Sequence, residues 1–377
     1  MTLYGKEKNL HRKELRSGDY LVVMLTMMLV IFGVVMVFSS SYYTALKDYG
    51  DPYYFFKKEL AFVLLGVVFM LAFALIDYHI YRRFSYIIIG ASFVLLVLVF
   101  TPLGVTRNYA TRWIGVGNFT VMPGELAKLG VILFIAWYLS ENPERVRSFK
   151  QGILPMMGLA GGVFGLIYLQ PNLSTAITIF IIAVGMMFVA GAKIGHLFVI
   201  GSAGVVAGIF AIFVDPDGGY RLARITHFMA PFQDHLASGY QVVQSLYALG
   251  SGGFLGVGFG KSIQKNLYLP DAHNDFILAI IGEELGFLGI LLLLTAYMLL
   301  IWRGINVAIN AKDMYGSLLA SGVTIMMGVQ LILHVATVTS SMPPTGITLP
   351  FVSYGGNAIW MFMIAMGLLI NISRYKP

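Results

Sequence analysis

Apolar runs at about residues 20–41, 59–76, 85–101, 124–140, 152–169, 173–190, 194–214, 275–301, 316–338 and 355–372 follow one another along the whole chain. An α-helix rises about 1.5 Å per residue, so about 20 apolar residues cross a hydrocarbon core about 30 Å thick. Inside lipid the backbone N–H and C=O groups have no water to bond, and a helix satisfies them within itself. The expected fold is therefore an all-α integral membrane protein of ten transmembrane helices, one polytopic domain over residues 1–377 with residues 1–19 as a basic N-terminal segment. Charged residues make up 11% of the chain, where a soluble domain carries about a quarter, so no separate soluble domain is expected.

Basic residues set the orientation. With the N-terminus in the cytoplasm, fifteen Lys and Arg fall inside and nine outside, which places both termini in the cytoplasm and the protein in the cell membrane. The first span carries no small-residue cleavage site, so it reads as a retained helix rather than a signal peptide. The net charge of +7 is explained by this topology; no basic, aromatic-studded module points to nucleic acid. The absence of cysteine excludes disulfides, thiolate catalysis and Cys-ligated metal. No repeat of fixed period and no paired broken helices of the kind found in carriers are visible.

One connection is long. Residues 215–274, between helices 7 and 8, form an extracellular loop of about sixty residues, a length that is usually functional or disordered. Leu236, Tyr240, Val243, Leu246 and Tyr247 recur at helical spacing, so an amphipathic helix in the membrane interface is expected there. The run GSGGFLGVGFGKS that follows is no phosphate-binding P-loop, because Leu255 stands where the first glycine is required. Its glycines, with Lys261, Lys265, Arg221 and Arg224, suit either a pyrophosphate or flexible turns whose basic residues face headgroups.

The stretch YLPDAHNDFILAIIGEELGFLG, Tyr268 to Gly289, is the most demanding. Carboxylates at and inside an apolar boundary are costly and mark a candidate site. Pro270 suits the first turn of the following helix, and at about 100° per residue Asp275, Gly282 and Gly286 share one face, with Glu283 to one side and Glu284 nearly opposite. Asp275 reads either as a helix-capping acid or as a reactive carboxylate at the water edge. Glu125 and Lys128, three apart on one helix, read as a packing pair or as a grip on a polar substrate. Arg112 and Trp113 read as an interfacial anchor or a substrate contact. His273, His196 and His334 show no metal-ligand spacing and read as polar core or interface groups. MPPTGITLPFVSYGG, before the last span, reads as a turn-rich outer loop.

Five segments in order, RWIGVGNFTVMPGELAK, QPNLSTA, GYQVVQSLYALGSGGFLGVGFGKS, the Tyr268–Gly289 stretch and TGITLPFVSYGG, resemble the shape, elongation, division and sporulation (SEDS) proteins from the first span to the last. QSLYALGSGG, GKSIQK and HNDFILAIIGEELG look more like the FtsW and SpoVE branch than the RodA branch. The resemblance implies a peptidoglycan glycosyltransferase that polymerises lipid II on the outer face of the membrane, beside a class B penicillin-binding protein that crosslinks the product. Divisome or sporulation proteins are further implied partners, with membrane lipids around the chain.

On that resemblance the catalytic aspartate is Asp275. The expected substrate-contacting set is Arg112, Trp113, Glu125, Lys128, Arg221, Arg224, Lys261, His273 and Glu283. A divalent cation, Mg²⁺ or Mn²⁺, is expected without a readable ligand set, and no organic cofactor. Three departures stand out: Asn172 replaces a common aspartate, Met122 and Gly124 replace two polar neighbours of Glu125, and Asp271 and Asn274 replace a usual Glu and Thr. A lipid II flippase and a non-catalytic divisome scaffold are the alternatives.

Overall fold

The computed structural model describes residues 18–107, 110–116, 119–213, 228, 229, 232 and 238–375. Three helices come first, α1 (Tyr20–Tyr49), α2 (Tyr54–Leu75) and α3 (Tyr78–Leu98), and then a small sheet. After it follow α4 (Pro123–Glu141), α5 (Leu154–Tyr168), α6 (Leu173–Val189), α7 (Ile194–Phe213), α8 (Ser238–Gly252), α9 (Ile277–Ile309), α10 (Met314–Val338) and α11 (Gly356–Arg374). Eight helical segments are long and apolar enough to cross a membrane. Two shorter apolar helices, Leu173–Val189 and Ile194–Gly208, occupy the sixth and seventh expected spans.

Several helices outrun the apolar runs that announced them. The 30 residues of α1 make a rod of about 45 Å, longer than the hydrocarbon core, because nothing polar in TALKDY stops a helix before Gly50. Gly50 then closes it in the left-handed conformation at φ 70°. Burial separates inner from outer helices: 83% of the apolar window of α11 is buried against 22% of that of α3. α4 and α10 join α11 in the centre, and the exposed apolar faces of α2, α3 and α9 are what a lipid-facing shell requires.

One end of the bundle is tied by polar contacts. Asp19 caps α1 through Leu21 N (3.1 Å), receives Arg303 Nε (3.1 Å) from α9, and its own N–H donates to Ser373 Oγ (2.9 Å) at the end of α11. The first and last described segments therefore lie on the same side. A second polar group forms at Asp313, the cap of α10, which lies 3.6 Å from His79 Nε2. Burial pushes the Asp313 carboxyl up, but hydrogen bonds from His79 and Tyr78 outweigh it and leave the pKa at about 2.

The chain is not purely helical. β1 (Gly104–Arg107), β2 (Ala110–Val116) and β3 (Phe119–Val121) form an antiparallel sheet in that order, with Val105 opposite Trp113 and Ile114 opposite Val121. The sequence carries the signal: β-branched and aromatic residues recur through GVTRNYATRWIGVGNFTV.

Two expectations about the eighth span are corrected. Pro270 lies in a run of turns, and α9 starts at Ile277, so Asp275 precedes the helix. α9 also breaks at Gly286 (φ 68°, ψ −168°), so Asp275, Gly282 and Gly286 share no single helical face.

Candidate active site

Asp275 sits half-buried in the turns that lead into α9, with its N–H donating to Asp271 O at 3.2 Å. Leu269, Ala272, His273 and Phe276 are buried around it and fix the backbone by packing. The connection between α10 and α11 lies against this segment. Tyr354 N donates to His273 O (2.9 Å) and Ser353 Oγ to Asn274 O (2.6 Å). That connection is itself held from three helices: His334 Nδ1 is 2.8 Å from Ile347 O, Thr337 Oγ1 is 2.8 Å from Thr345 Oγ1, Ser174 Oγ donates to Thr345 O (2.6 Å), and Tyr297 OH donates to Pro350 O. Gly346, between two of these anchors, faces the Asp275 carboxylate.

His273 is 5% exposed, its ring 4.4 Å from Phe55 and 5.5 Å from Tyr354. Burial lowers its pKa to about 4, so the imidazole is neutral near pH 7. Desolvation also raises the Asp271 carboxyl from its ordinary value.

The start of α6 gathers the other candidates. Arg112 Nη2 on β2 donates to Pro171 O, and Asn357 Nδ2 of α11 donates to Thr120 O (3.1 Å), so the sheet is moored between α6 and α11. Trp113, next in the same strand, projects from the opposite face. Asn172 Oδ1 accepts from Thr175 N (3.4 Å) and caps α6, a role asparagine fills as well as aspartate does. A Cβ on Gly124 of α4 would stand 3.3 Å from Thr175, so the first turn of α4 abuts the same place. One turn on, Lys128 Nζ lies 2.8 Å from Glu125 Oε1 and 2.7 Å from Oε2, with both side chains buried. Ser174 completes the hub by reaching Thr345, one residue from Gly346. The start of α6 thus touches Arg112 through Pro171, the first turn of α4 through Thr175, and, through Ser174 and Thr345, the strap whose Gly346 faces Asp275.

Other candidates lie elsewhere. Glu283 is 1% exposed and accepts from Ser262 Oγ, Ile263 N (2.8 Å) and Gln264 N (3.3 Å), so its carboxylate anchors a loop and has no face left for substrate. Lys261 is exposed, whereas Lys265 is buried against Glu284 at 2.7 Å and is withdrawn from any pyrophosphate. Arg221 and Arg224 lie outside the described residues. Sequence reasoning passed over Glu59, which is buried in α2 and accepts from Gly355 N (3.4 Å) at the start of α11. Its one signal was an acid inside FFKKELAFV.

Fold and site together define a polytopic membrane protein built around a carboxylate on a rigidly strapped turn, with a buried ion pair nearby. Comparison with known proteins narrows this further. The model of the cell cycle protein family FtsW/RodA/SpoVE matches residues 19–377. Stage V sporulation protein E of Bacillus subtilis is 41% identical over 361 residues, covering 96% of this chain and 98% of that protein. A Trichlorobacter lovleyi protein named "Probable peptidoglycan glycosyltransferase FtsW" is 38% identical over 365 residues, 96% of this chain and 95% of that one. Among solved structures, one titled "Structural coordination of polymerization and crosslinking by a peptidoglycan synthase complex" superposes with a TM-score of 0.78 at 28% identity, covering 95% of this chain and 98% of that one. The rod shape determining protein RodA of Thermus thermophilus follows at 0.71 and 27%, covering 96% and 99%. The chain belongs to the FtsW/RodA/SpoVE family.

Proposed function

We propose that this chain, a peptidoglycan glycosyltransferase of cell division or sporulation, polymerises lipid II at the outer face of the cytoplasmic membrane with Asp275 as general base. The observation that carries the reading is the placement of Asp275: a half-buried carboxylate on a turn strapped by Tyr354 and Ser353, facing a glycine that leaves room beside it. In the reaction Asp275 takes the proton from the 4-hydroxyl of the incoming sugar. That oxygen bonds to the anomeric carbon of the growing strand, whose bond to the lipid pyrophosphate breaks, with inversion.

Charge accumulates on the departing pyrophosphate, and cations placed there lower the barrier. Lys261, exposed in the loop after α8, is suited to this, and Arg221 and Arg224 of the same connection are further candidates. Among the described residues no three His, Asp or Glu side chains gather to hold a metal ion. Those residues therefore offer no all-protein cage for Mg²⁺ or Mn²⁺.

Ten transmembrane helices with both termini in the cytoplasm accompany this reading, supported by the eight long and two shorter apolar helices and by the Asp19–Ser373 contact. A class B penicillin-binding protein is the proposed partner, supported by the likeness to a chain of a peptidoglycan synthase complex. The break in α9 beside buried charges favours one second reading, translocation of lipid II, because discontinuous helices with intramembrane charge are features of carriers.

The test is purified protein with its transpeptidase and lipid II. Asp275→Asn is expected to abolish glycan strands, a loss of roughly 10²- to 10⁴-fold, while folding and partner binding stay native. Polymerisation at the native rate by that variant removes the assigned base. Transport of labelled lipid II across reconstituted vesicles by Asp275→Asn would support the second reading.

A further inference from the structure

Between α8 and α9 the chain turns back along α9 and closes the break in that helix. In an unbroken α9, Phe287 N would donate to Glu283 O and Leu288 N to Glu284 O. All four groups are instead taken by the preceding loop: Val257 N donates to Glu283 O (2.9 Å), Gly258 N to Glu284 O (3.1 Å), Phe287 N to Gly253 O (2.9 Å) and Leu288 N to Phe254 O (3.1 Å). Gly286 is the tenth residue of α9, about 14 Å along the helix, and the pairing satisfies backbone groups that would be costly to leave unpaired in an apolar surround. Residues 253–258 are in this sense a re-entrant element, folded back along α9.

The side chains of the same two glutamates hold the returning limb. Glu283 anchors residues 262–264, as described above. Glu284, 0% exposed, accepts Ser39 Oγ from α1 at 2.8 Å on both oxygens and Lys265 Nζ at 2.7 Å, and Lys265 Nζ also reaches Ser39 Oγ at 3.1 Å. Lys265 and Glu284 are therefore the two ends of a closed segment, with Asp275 between them. A buried ion pair adds little net stability over a well-packed neutral pair of the same shape, because desolvation offsets its attraction. What it does supply is a fixed geometry at the neck of the segment.

We propose that Lys265 is a positioning residue for the reaction: its clasp on Glu284 and Ser39 closes residues 265–284 and sets where Asp275 stands. This rests on Asp275 being the base. The clasp couples three elements, α1, the re-entrant loop and α9, so that a shift in any of them reaches the carboxylate without touching substrate.

The test separates position from stability. The double variant Lys265→Met/Glu284→Gln removes both charges and keeps the volume, so it is expected to unfold at close to the native temperature. Its polymerisation turnover is expected to fall roughly 10- to 100-fold, the scale of a displacement of about 1 Å at a reacting group, with KM for lipid II changed by about threefold or less. A second readout is independent of turnover. The chain has no cysteine, so Tyr268→Cys, exposed in the clasped segment, takes a single nitroxide. Its spectrum is expected to be immobile in the otherwise native protein and mobile in the double variant. Ser39→Ala keeps both charges and, should the double variant not fold, is expected to mobilise the same label. A double variant that polymerises at the native rate, or a label as immobile without the clasp as with it, overturns the proposal. A native chain that makes no glycan strand refutes the role of Asp275 and leaves the label measurement standing.

Discussion

Gly346 faces Asp275 so closely that a Cβ on the glycine would lie 3.4 Å from Oδ2. Its backbone has φ +68°, and the flanking residues are pinned by Thr337, Ser174 and His334. The segment cannot swing away to accept a side chain. Gly346→Ala therefore places a methyl against the Asp275 carboxylate, on the side where the proposed reaction would bring the acceptor sugar, and forces a left-handed alanine, which costs about 1 kcal/mol. The expected result is a turnover loss of roughly 10- to 100-fold with a small drop in thermal midpoint. Native turnover in a lipid II assay would mean that the acceptor does not pass this side of Asp275.

The Glu125–Lys128 pair makes a separable statement. With Nζ within 2.8 Å of both oxygens and both groups buried, removal of either partner strands a charge. Glu125→Ala and Lys128→Ala are each expected to destabilise by about 3–5 kcal/mol. The double variant should lose less than the sum, with a coupling of about 1–3 kcal/mol, read by denaturant or thermal unfolding in detergent. Additive losses would show that the two do not act as a pair.

The helices were legible because lipid demands long apolar runs, and a run of about 20 residues is hard to mistake. The sheet around Arg112 was overlooked because the same reading treats everything between spans as connection. Val105, Thr106, Ile114 and Val121 are β-branched, as strand residues often are, and they would have shown it. Within the site, the boundary between polar and apolar sequence singled out Asp275 as a capping acid or a reactive carboxylate, and only the family resemblance chose between the two, whereas spacing alone suggested that Glu125 and Lys128 pair. Glu284 finds its cation in Lys265, 19 residues earlier and across the turns that lead into α9, and no local period reports such a pairing. A buried carboxylate that must have a partner was nevertheless a signal, and it competed with the use of Lys265 on a pyrophosphate. Glu283, expected to contact substrate, is held by three donors from residues 262–264, another pairing across the turns that no local period reports.

His273 gives the chain a pH dependence of known sign. Burial between Phe55 and Tyr354 holds its pKa at about 4, while in the unfolded chain it titrates near its ordinary 6.5. Above pH 6.5 both states are neutral at this residue and nothing is lost. As pH falls from 6.5 to 4 the unfolded chain gains a proton that the folded one refuses, and stability drops by up to about 3 kcal/mol. His273→Phe keeps the ring contacts and removes the proton site. Thermal midpoints measured from pH 7.5 to 4.5 should therefore fall less steeply in the variant, and parallel curves would place the titration elsewhere.

Gly286 tests whether the break in α9 is built in or incidental. Its φ of 68° with ψ of −168° is a conformation that side chains rarely adopt, and a Cβ there would stand 2.3 Å from Gly256 N. An alanine cannot take that place without displacing residues 254–256 from the helix. Two routes are then open to Gly286→Ala. The chain either bears a strain of about 1–3 kcal/mol, or it lets α9 heal into a continuous helix, which releases residues 253–258 from their four backbone bonds. Both predict lower thermal stability and faster amide exchange at Val257 and Gly258, whose N–H groups pair only with the broken helix. Exchange at those two amides unchanged from the native protein would show that the loop does not depend on the break.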